Sequence, residues 1–245
     1  MTTRYVEWFR NSAPYINAHR GQTFVIQFGG EAVHQSHFSS LIHDLALLDS
    51  LGVRLVIVHG ARPQIERELV SASLESSYHN GLRITDEESL TRVKRAAGEV
   101  RLDIEALLSM GLANSPMAGA RIRVTSGNFV TARPLGVRDG VDYGHTGEIR
   151  RIDSESIRDH LDRGEVVIIS PIGFSPTGEM FNLGAEDVAT AIAAELHAAK
   201  LILLIEPDEA IQDEGRIVRQ LTLDEAKLLV AKIQETTEAP YQHLF

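Results

Sequence analysis

The chain has 245 residues, 43% of them hydrophobic and 24% charged, with a net charge of −10 at pH 7. That length is ample to bury a core, and the acidic balance argues against a nucleic-acid partner. Cysteine is absent, which excludes disulfides, thiol nucleophiles and zinc–thiolate sites.

Residues 4–10 have the spacing of a short amphipathic helix, with Tyr5, Trp8 and Phe9 on one side. The segment Ser12-Ala13-Pro14 is expected to break or kink it, because proline removes a donor and restrains the residue before it. No apolar run has signal-peptide or bilayer-spanning length, so a cytoplasmic protein without a membrane partner is expected. Thr23–Phe28 is an apolar, β-branched run that reads as a buried strand ending at Gly29-Gly30. Residues 39–51 have helical periodicity, and Arg54–His59 reads as a second buried strand ending at Gly60. Residues 63–70 open another helix with Pro63 in its first turn. Strand–turn–helix, twice over, predicts a parallel α/β sheet.

Residues 78–85 carry Asn80-Gly81, a hairpin signal. Residues 86–110 form a long helical stretch that Thr85 or Asp86 can cap. Residues 119–151 alternate short strand-like runs with glycines, which predicts hairpins at the edge of the sheet. Beyond them come a helix over 154–163, a third buried strand over 165–170, an alanine-rich helix over 186–197 and a fourth buried strand over 200–205. A short strand over 217–221 and a helix over 224–233 follow. Strands apolar throughout need cover on both faces, so the expected fold is α/β, a three-layer αβα sandwich with a mainly parallel sheet and a kinked N-terminal helix.

Ligands in open α/β sheets gather beyond the C-terminal ends of the strands. The visible ends are Gly29-Gly30, His59-Gly60-Ala61-Arg62, Ser170-Pro171-Ile172-Gly173 and Ile205-Glu206-Pro207. Glycines there either admit backbone N–H groups to a phosphate or carboxylate, or simply make a strand-to-helix turn. Neither a P-loop nor a G-x-G-x-x-G pattern is present. His59 and His145 have no second ligand at a metal-binding spacing, so no metal site is expected and both read as hydrogen-bonded turn residues.

The blocks VIQFGGEAV, RLVIVHGARPQI, HNGLRIT, EVVIISPIGFSPTGEMFNLGAEDVATAIAAEL and KLILLIEPDEAI follow one another in an order that resembles the amino-acid kinase family, in particular its acetylglutamate-kinase branch. More narrowly, YVEWFRNSAPYINAHRG, HGARPQI and PLGVRDGVDYGHTGEIRRID are similar to the kinase-like domain of bacterial N-acetylglutamate synthases. The resemblance covers nearly the whole chain and implies the amino-acid kinase fold. Working kinases of this branch carry a strand lysine in K-x-G-G that meets the transferring phosphate; Gln27 stands there. Their triple-glycine turn becomes Gly60-Ala61-Arg62. Their N-x-N-A-D block becomes Asn182-Leu183-Gly184-Ala185-Glu186, so Glu186 occupies the aspartate position. Loss of phosphate-facing cations suppresses phosphoryl transfer, and Arg62 is poorly placed to replace them where positioning counts.

Arg83 matches the family's substrate-carboxylate arginine, since a guanidinium grips a carboxylate bidentately. On the residues alone, a surface salt bridge to Asp86 or Glu87 is equally open. Gly29, Gly30, Gly60, Arg62, Arg83 and Asn182 are thus expected to form the remnant of a substrate or phosphate pocket without catalytic residues. In arginine-regulated members a kinked N-terminal helix joins subunits beside the arginine site, which assigns Trp8, Phe9 and Tyr15 to oligomer or effector contacts. Terminal aromatics without a dock would be exposed, which favours the oligomer contact.

The resemblance implies residues 1–20 as a helical oligomerisation segment and 21–245 as the kinase-like domain, shortened at its C-terminal end. The acetyltransferase domain of the synthases is expected to be absent. The function implied is a regulatory and assembly domain mediating arginine feedback on acetyl transfer from acetyl-CoA to glutamate, the first step of arginine biosynthesis. No cofactor is expected in this chain, since acetyl-CoA belongs to the acetyltransferase domain. The implied partners are L-arginine, an acetyltransferase unit in cis or in trans, and further copies of the chain, a hexamer among the options. The alternatives are an active acetylglutamate-kinase-type phosphotransferase and a standalone scaffold for a separate acetyltransferase.

Overall fold

A computed structural model of the chain describes residues 2–109, 122–205, 212–213, 216–218 and 223–236. Helix α1 spans Thr2–His19 and continues through Pro14 rather than ending there. Proline forfeits one ladder bond, and the helix closes again on either side; Ser12 Oγ also donates to the Trp8 carbonyl one turn back, at 3.0 Å.

The chain then alternates as the hydrophobic runs dictate. Strand β1 (Thr23–Phe28) leads into a one-turn 3-10 helix (Gly30–His34) and α2 (Phe38–Ser50); β2 (Arg54–His59) leads into α3 (Arg62–Ser71). A hairpin of β3 (Ser77–His79) and β4 (Leu82–Ile84) turns on Asn80 and Gly81, both at positive φ, as a two-residue turn of this kind requires. Helix α4 (Glu87–Ser109) follows, its start capped by Asp86, whose carboxylate accepts from the Ser89 amide at 2.7 Å.

Then come β5 (Arg123–Thr125), β6 (Val130–Pro134), the small hairpin β7 (Val137–Arg138) and β8 (Val141–Asp142), β9 (Gly147–Ile152) and α5 (Ser154–Asp162). They are followed by β10 (Glu165–Ile169), β11 (Ile172–Phe174), β12 (Met180–Asn182), α6 (Ala185–Leu196) and β13 (Lys200–Leu204). The pair β14 (Gln212–Asp213) and β15 (Arg216–Ile217) precedes α7 (Leu223–Thr236).

Five strands form a parallel sheet in the order β13-β1-β2-β10-β5. Side chains alternate across it. Phe24, Ile26, Phe28, Leu55, Ile57 and Ile168 pack into one core with residues of α2, α3 and α4. Val25, Val56, Val58, Val167 and Ile169 pack into a second core with α5, α6 and strands β6 and β9. This is the expected three-layer αβα sandwich with a parallel central sheet.

Three expectations are corrected. Residues 122–152 do not form a hairpin meander along the main sheet. Only β5 joins that sheet, while β6 and β9 pair with β11 and β12 in a separate four-stranded sheet. That sheet draws on β11 and β12, three-residue strands that read as a turn because Gly173 and the loop at Gly178 interrupt any period. Second, β13 is not fully buried: Leu201, Leu203 and Leu204 are exposed, because among the described residues it is the edge strand, paired to β1 alone. Third, α1 does not break at Pro14, which lies inside the helix. The expected strand over 217–221 and the turn at Glu206-Pro207 lie mostly outside the described residues, as do Met110, residues 119–121 and the side chain of Tyr5.

Candidate functional site

The ends of β1, β2 and β10 open into a cleft of about 500 Å³, walled by α3, the β3–β4 hairpin, the start of α6 and the 3-10 helix. Gly29, Gly30, Gly60, Arg62, Arg83 and Asn182 all line it, together with Gln27 and Glu186. Every pocket residue singled out from the sequence therefore converges on one place.

The glycines serve close packing between two turns. A Cβ on Gly60 would lie 3.2 Å from both Gly29 Cα and Gly30 N. One on Gly30 would lie 2.1 Å from Gln64 Oε1 and 3.0 Å from Ala61 Cα. Gln64, buried on α3, ties the two turns by donating Nε2 to the Gly30 carbonyl at 2.7 Å.

Gln27 follows from the period of β1: it faces the same side as Val25 and so meets the N-terminus of α6. Its amide Nε2 donates to Glu186 Oε1 at 3.2 Å, while its Oε1 is buried and accepts nothing among the described residues. Glu31 Oε2 is likewise buried without a donor.

Arg83 is buried, yet it does not bridge Asp86 or Glu87. Its Nη2 donates to Glu66 Oε1 on α3 at 2.6 Å, and its Nη1 to Ser76 Oγ at 2.9 Å. The guanidinium also stacks 4.7 Å above the Tyr78 ring. Tyr78 Oη donates to Glu66 Oε1 at 2.7 Å, and Ser76 donates to Glu66 Oε2. Burial alone would raise the Glu66 pKa, but hydrogen bonds from Ser76, Tyr78 and Arg83 hold it below the usual range. Sequence reasoning missed Glu66 and Glu31. Glu31 follows the Gly-Gly turn directly, and Glu66 lies one helical turn after Arg62; those placements were the available signals.

Asn182 Nδ2 donates to Thr85 Oγ1 at 3.1 Å, and Thr85 in turn pairs with Thr146 at 2.9 Å, bracing the cleft's far wall. Arg62 starts α3 and is exposed at the rim.

His59 is fully buried beneath the cleft and hydrogen-bonded as expected, but as the last residue of β2 rather than in the turn. Burial pushes its pKa down to about 4, so it is neutral near pH 7. Its Nδ1–H donates to the Gly60 carbonyl at 3.1 Å, and Nε2 accepts from Ser170 Oγ at 2.9 Å. His145 sits beside the Phe181 ring, away from the lining. Among the described residues no cluster of three His, Asp or Glu side chains could hold a metal ion, and no helix is long and apolar enough to cross a membrane. Trp8, Phe9 and Tyr15 are on α1 and are not part of this lining, each more than 60% exposed.

Residues 22–239 match the profile of the amino acid kinase family. The amino-acid acetyltransferase of Ectopseudomonas mendocina is 52% identical over 94% of this chain and 53% of its own length. That of Pseudomonas fluorescens is 55% identical over 89% of this chain and 50% of its own length. The crystal structure of N-acetylglutamate synthase from Neisseria gonorrhoeae, complexed with coenzyme A and L-arginine, superposes with a TM-score of 0.83 at 36% identity, covering 97% of this chain and 55% of that one. The chain thus spans about half the length of the curated relatives it matches.

Proposed function

The chain belongs to the amino acid kinase family, and from that membership we propose that it is the kinase-like regulatory and assembly domain of an N-acetylglutamate synthase, without phosphotransfer of its own. In this reading residues 1–20 serve assembly and 21–245 form the kinase-like domain. An acetyltransferase unit, in cis or in trans, moves acetyl from acetyl-CoA to glutamate. L-arginine binds two arrangements of the oligomer with different affinity and so shifts that unit between states.

The observation that carries the loss of phosphotransfer is the Gln27–Glu186 contact at the cleft floor. Catalysis of phosphoryl transfer relies on cations placed where charge develops. Here Gln27 is neutral and bonded to a carboxylate. Glu31, Glu186 and Asp187 line the same cleft, while the Arg83 guanidinium is engaged by Glu66. Among the described residues, a triphosphate would meet three carboxylates, with Arg62 at the rim as the cation not engaged by Glu66.

The regulatory part rests on likeness to a synthase solved with arginine bound, and the assembly part on the apolar exposure of α1. The test incubates the 245-residue chain with ATP, magnesium and N-acetylglutamate and follows ADP release, with arginine binding followed by calorimetry and oligomer size by sedimentation. The expected result is no ADP above background, together with an arginine-dependent change in mass. Steady ADP release would establish the kinase instead, and indifference to arginine would remove the regulatory reading.

A further inference from the structure

We infer that the β1 side of the cleft is a binding site for a small cation that donates N–H hydrogen bonds, a primary ammonium or guanidinium group, rather than for a phosphate. Gln27 is 2% exposed, lines the cleft, and keeps Oε1 without a donor among the described residues. Four residues on, the buried Glu31 Oε2 also lacks a donor among the described residues and lies against Gly29, 1.9 Å from where a Cβ would stand. Just behind, Gln64 Oε1 crowds Gly30 in the same way and is equally bare.

The amide orientations are fixed by their partners. Gln27 Nε2 faces the Glu186 carboxylate and Gln64 Nε2 faces the Gly30 carbonyl. Both partners only accept, so neither amide can turn over to present its N–H₂ to the cleft instead. One glycine turn is therefore ringed by oxygens that ask for donors, and the carboxylates of Glu31 and Glu186 ask for positive charge as well.

A phosphate brings negative charge against the carboxylates of Glu31 and Glu186 that line the cleft. No group of three His, Asp or Glu side chains that could hold a divalent metal exists among the described residues. An ammonium or guanidinium group supplies both the charge and the N–H bonds, and such charge-assisted bonds are the strong ones. The inference stands apart from arginine regulation: arginine-dependent assembly and occupancy of this cleft can each fail without the other.

The test measures thermal unfolding of the 245-residue chain with ethylammonium chloride against tetramethylammonium and sodium chlorides at matched ionic strength. Tetramethylammonium carries the same charge but no N–H. At ten times its dissociation constant, ethylammonium is expected to raise the midpoint by about 4 °C, with no matching rise from the other two salts. Glu31→Gln and Gln27→Leu should each weaken ethylammonium binding about ten-fold, since each removes one acceptor or charge from the ring. If Gln27→Leu does not fold, Glu31→Gln decides. An equal response to tetramethylammonium, no response to ethylammonium, unaltered affinity in the folded variants, or tighter binding of magnesium-ATP that depends on Gln27 would each overturn the proposal.

Discussion

On the hairpin side of the cleft Arg83, Glu66, Ser76 and Tyr78 satisfy one another, whereas on the β1 side Gln27 and Glu31 keep bare oxygens. Both regions line the same cleft, although Gln27 is 2% exposed while Glu66 and Tyr78 are partly open to solvent. A closed polar network holds its own charge in place and leaves little for a ligand to gain. An unmatched one is destabilising until something fills it. The hairpin side therefore reads as architecture and the β1 side as receptor, although the resemblance pointed to Arg83 as the ligand-gripping residue.

That contrast can be tested by breaking each side. The largest effect concerns His59, which lies below both regions and has its partners matched only as a neutral ring. Its folded pKa is about 4 against an ordinary value of 6.5. Between those values the unfolded chain binds a proton that the folded chain does not, so stability falls as pH drops through this window, by about 3 kcal/mol in all. Urea midpoints from pH 7 to pH 4 should show this slope, and His59→Gln should flatten it. Glu66 acts lower: its contribution is intact above its unfolded value of 4.5 and is lost as pH falls through its depressed folded pKa.

Next, Glu66→Ala leaves the buried Arg83 charge unpaired and should lower stability by about 2 kcal/mol, less than for a fully buried pair because Glu66 is 38% exposed. Arg83→Met added to it should recover part of that loss, a coupling a double-mutant cycle reads directly. Gln27→Leu on the other side should change stability by under about 1 kcal/mol, because it removes an unmet acceptor along with one donated bond. Equal losses from Glu66→Ala and Gln27→Leu would erase the distinction between the two sides. Smallest in stability is the pair Trp8→Ser and Phe9→Ser, expected to change stability by under about 0.5 kcal/mol each while shifting sedimentation toward smaller species.

Much of the fold was legible because β1, β2 and β10 are buried on both faces, and uninterrupted Val, Ile and Phe runs have few other readings. The Asn80-Gly81 turn was legible for a conformational reason: both positions adopt positive φ. The second sheet was not, because its strands β11 and β12 are too short to show a period and are defined by their partners. The exposure of β13 was hidden for the converse reason, since Lys200–Leu204 is apolar whether it sits inside a sheet or at its edge. At the site, position at strand ends pointed to Gly29, Gly30, Gly60 and Arg62, while Arg83 and Asn182 came from the resemblance. Neither could name Glu66 as the partner of Arg83, because which carboxylate on α3 reaches the hairpin depends on how those elements pack.

The order of the central sheet sets a schedule for its making. Strand β1 lies between β2 and β13, so Phe28 finds one neighbour at His59 early and the other only at Leu204. At the pace of a ribosome the wait is roughly ten to thirty seconds. Through that interval one edge of an almost wholly apolar strand stands open, an invitation to pair with another nascent chain. Slowing or speeding translation between residues 60 and 200 should therefore change soluble yield more than final stability.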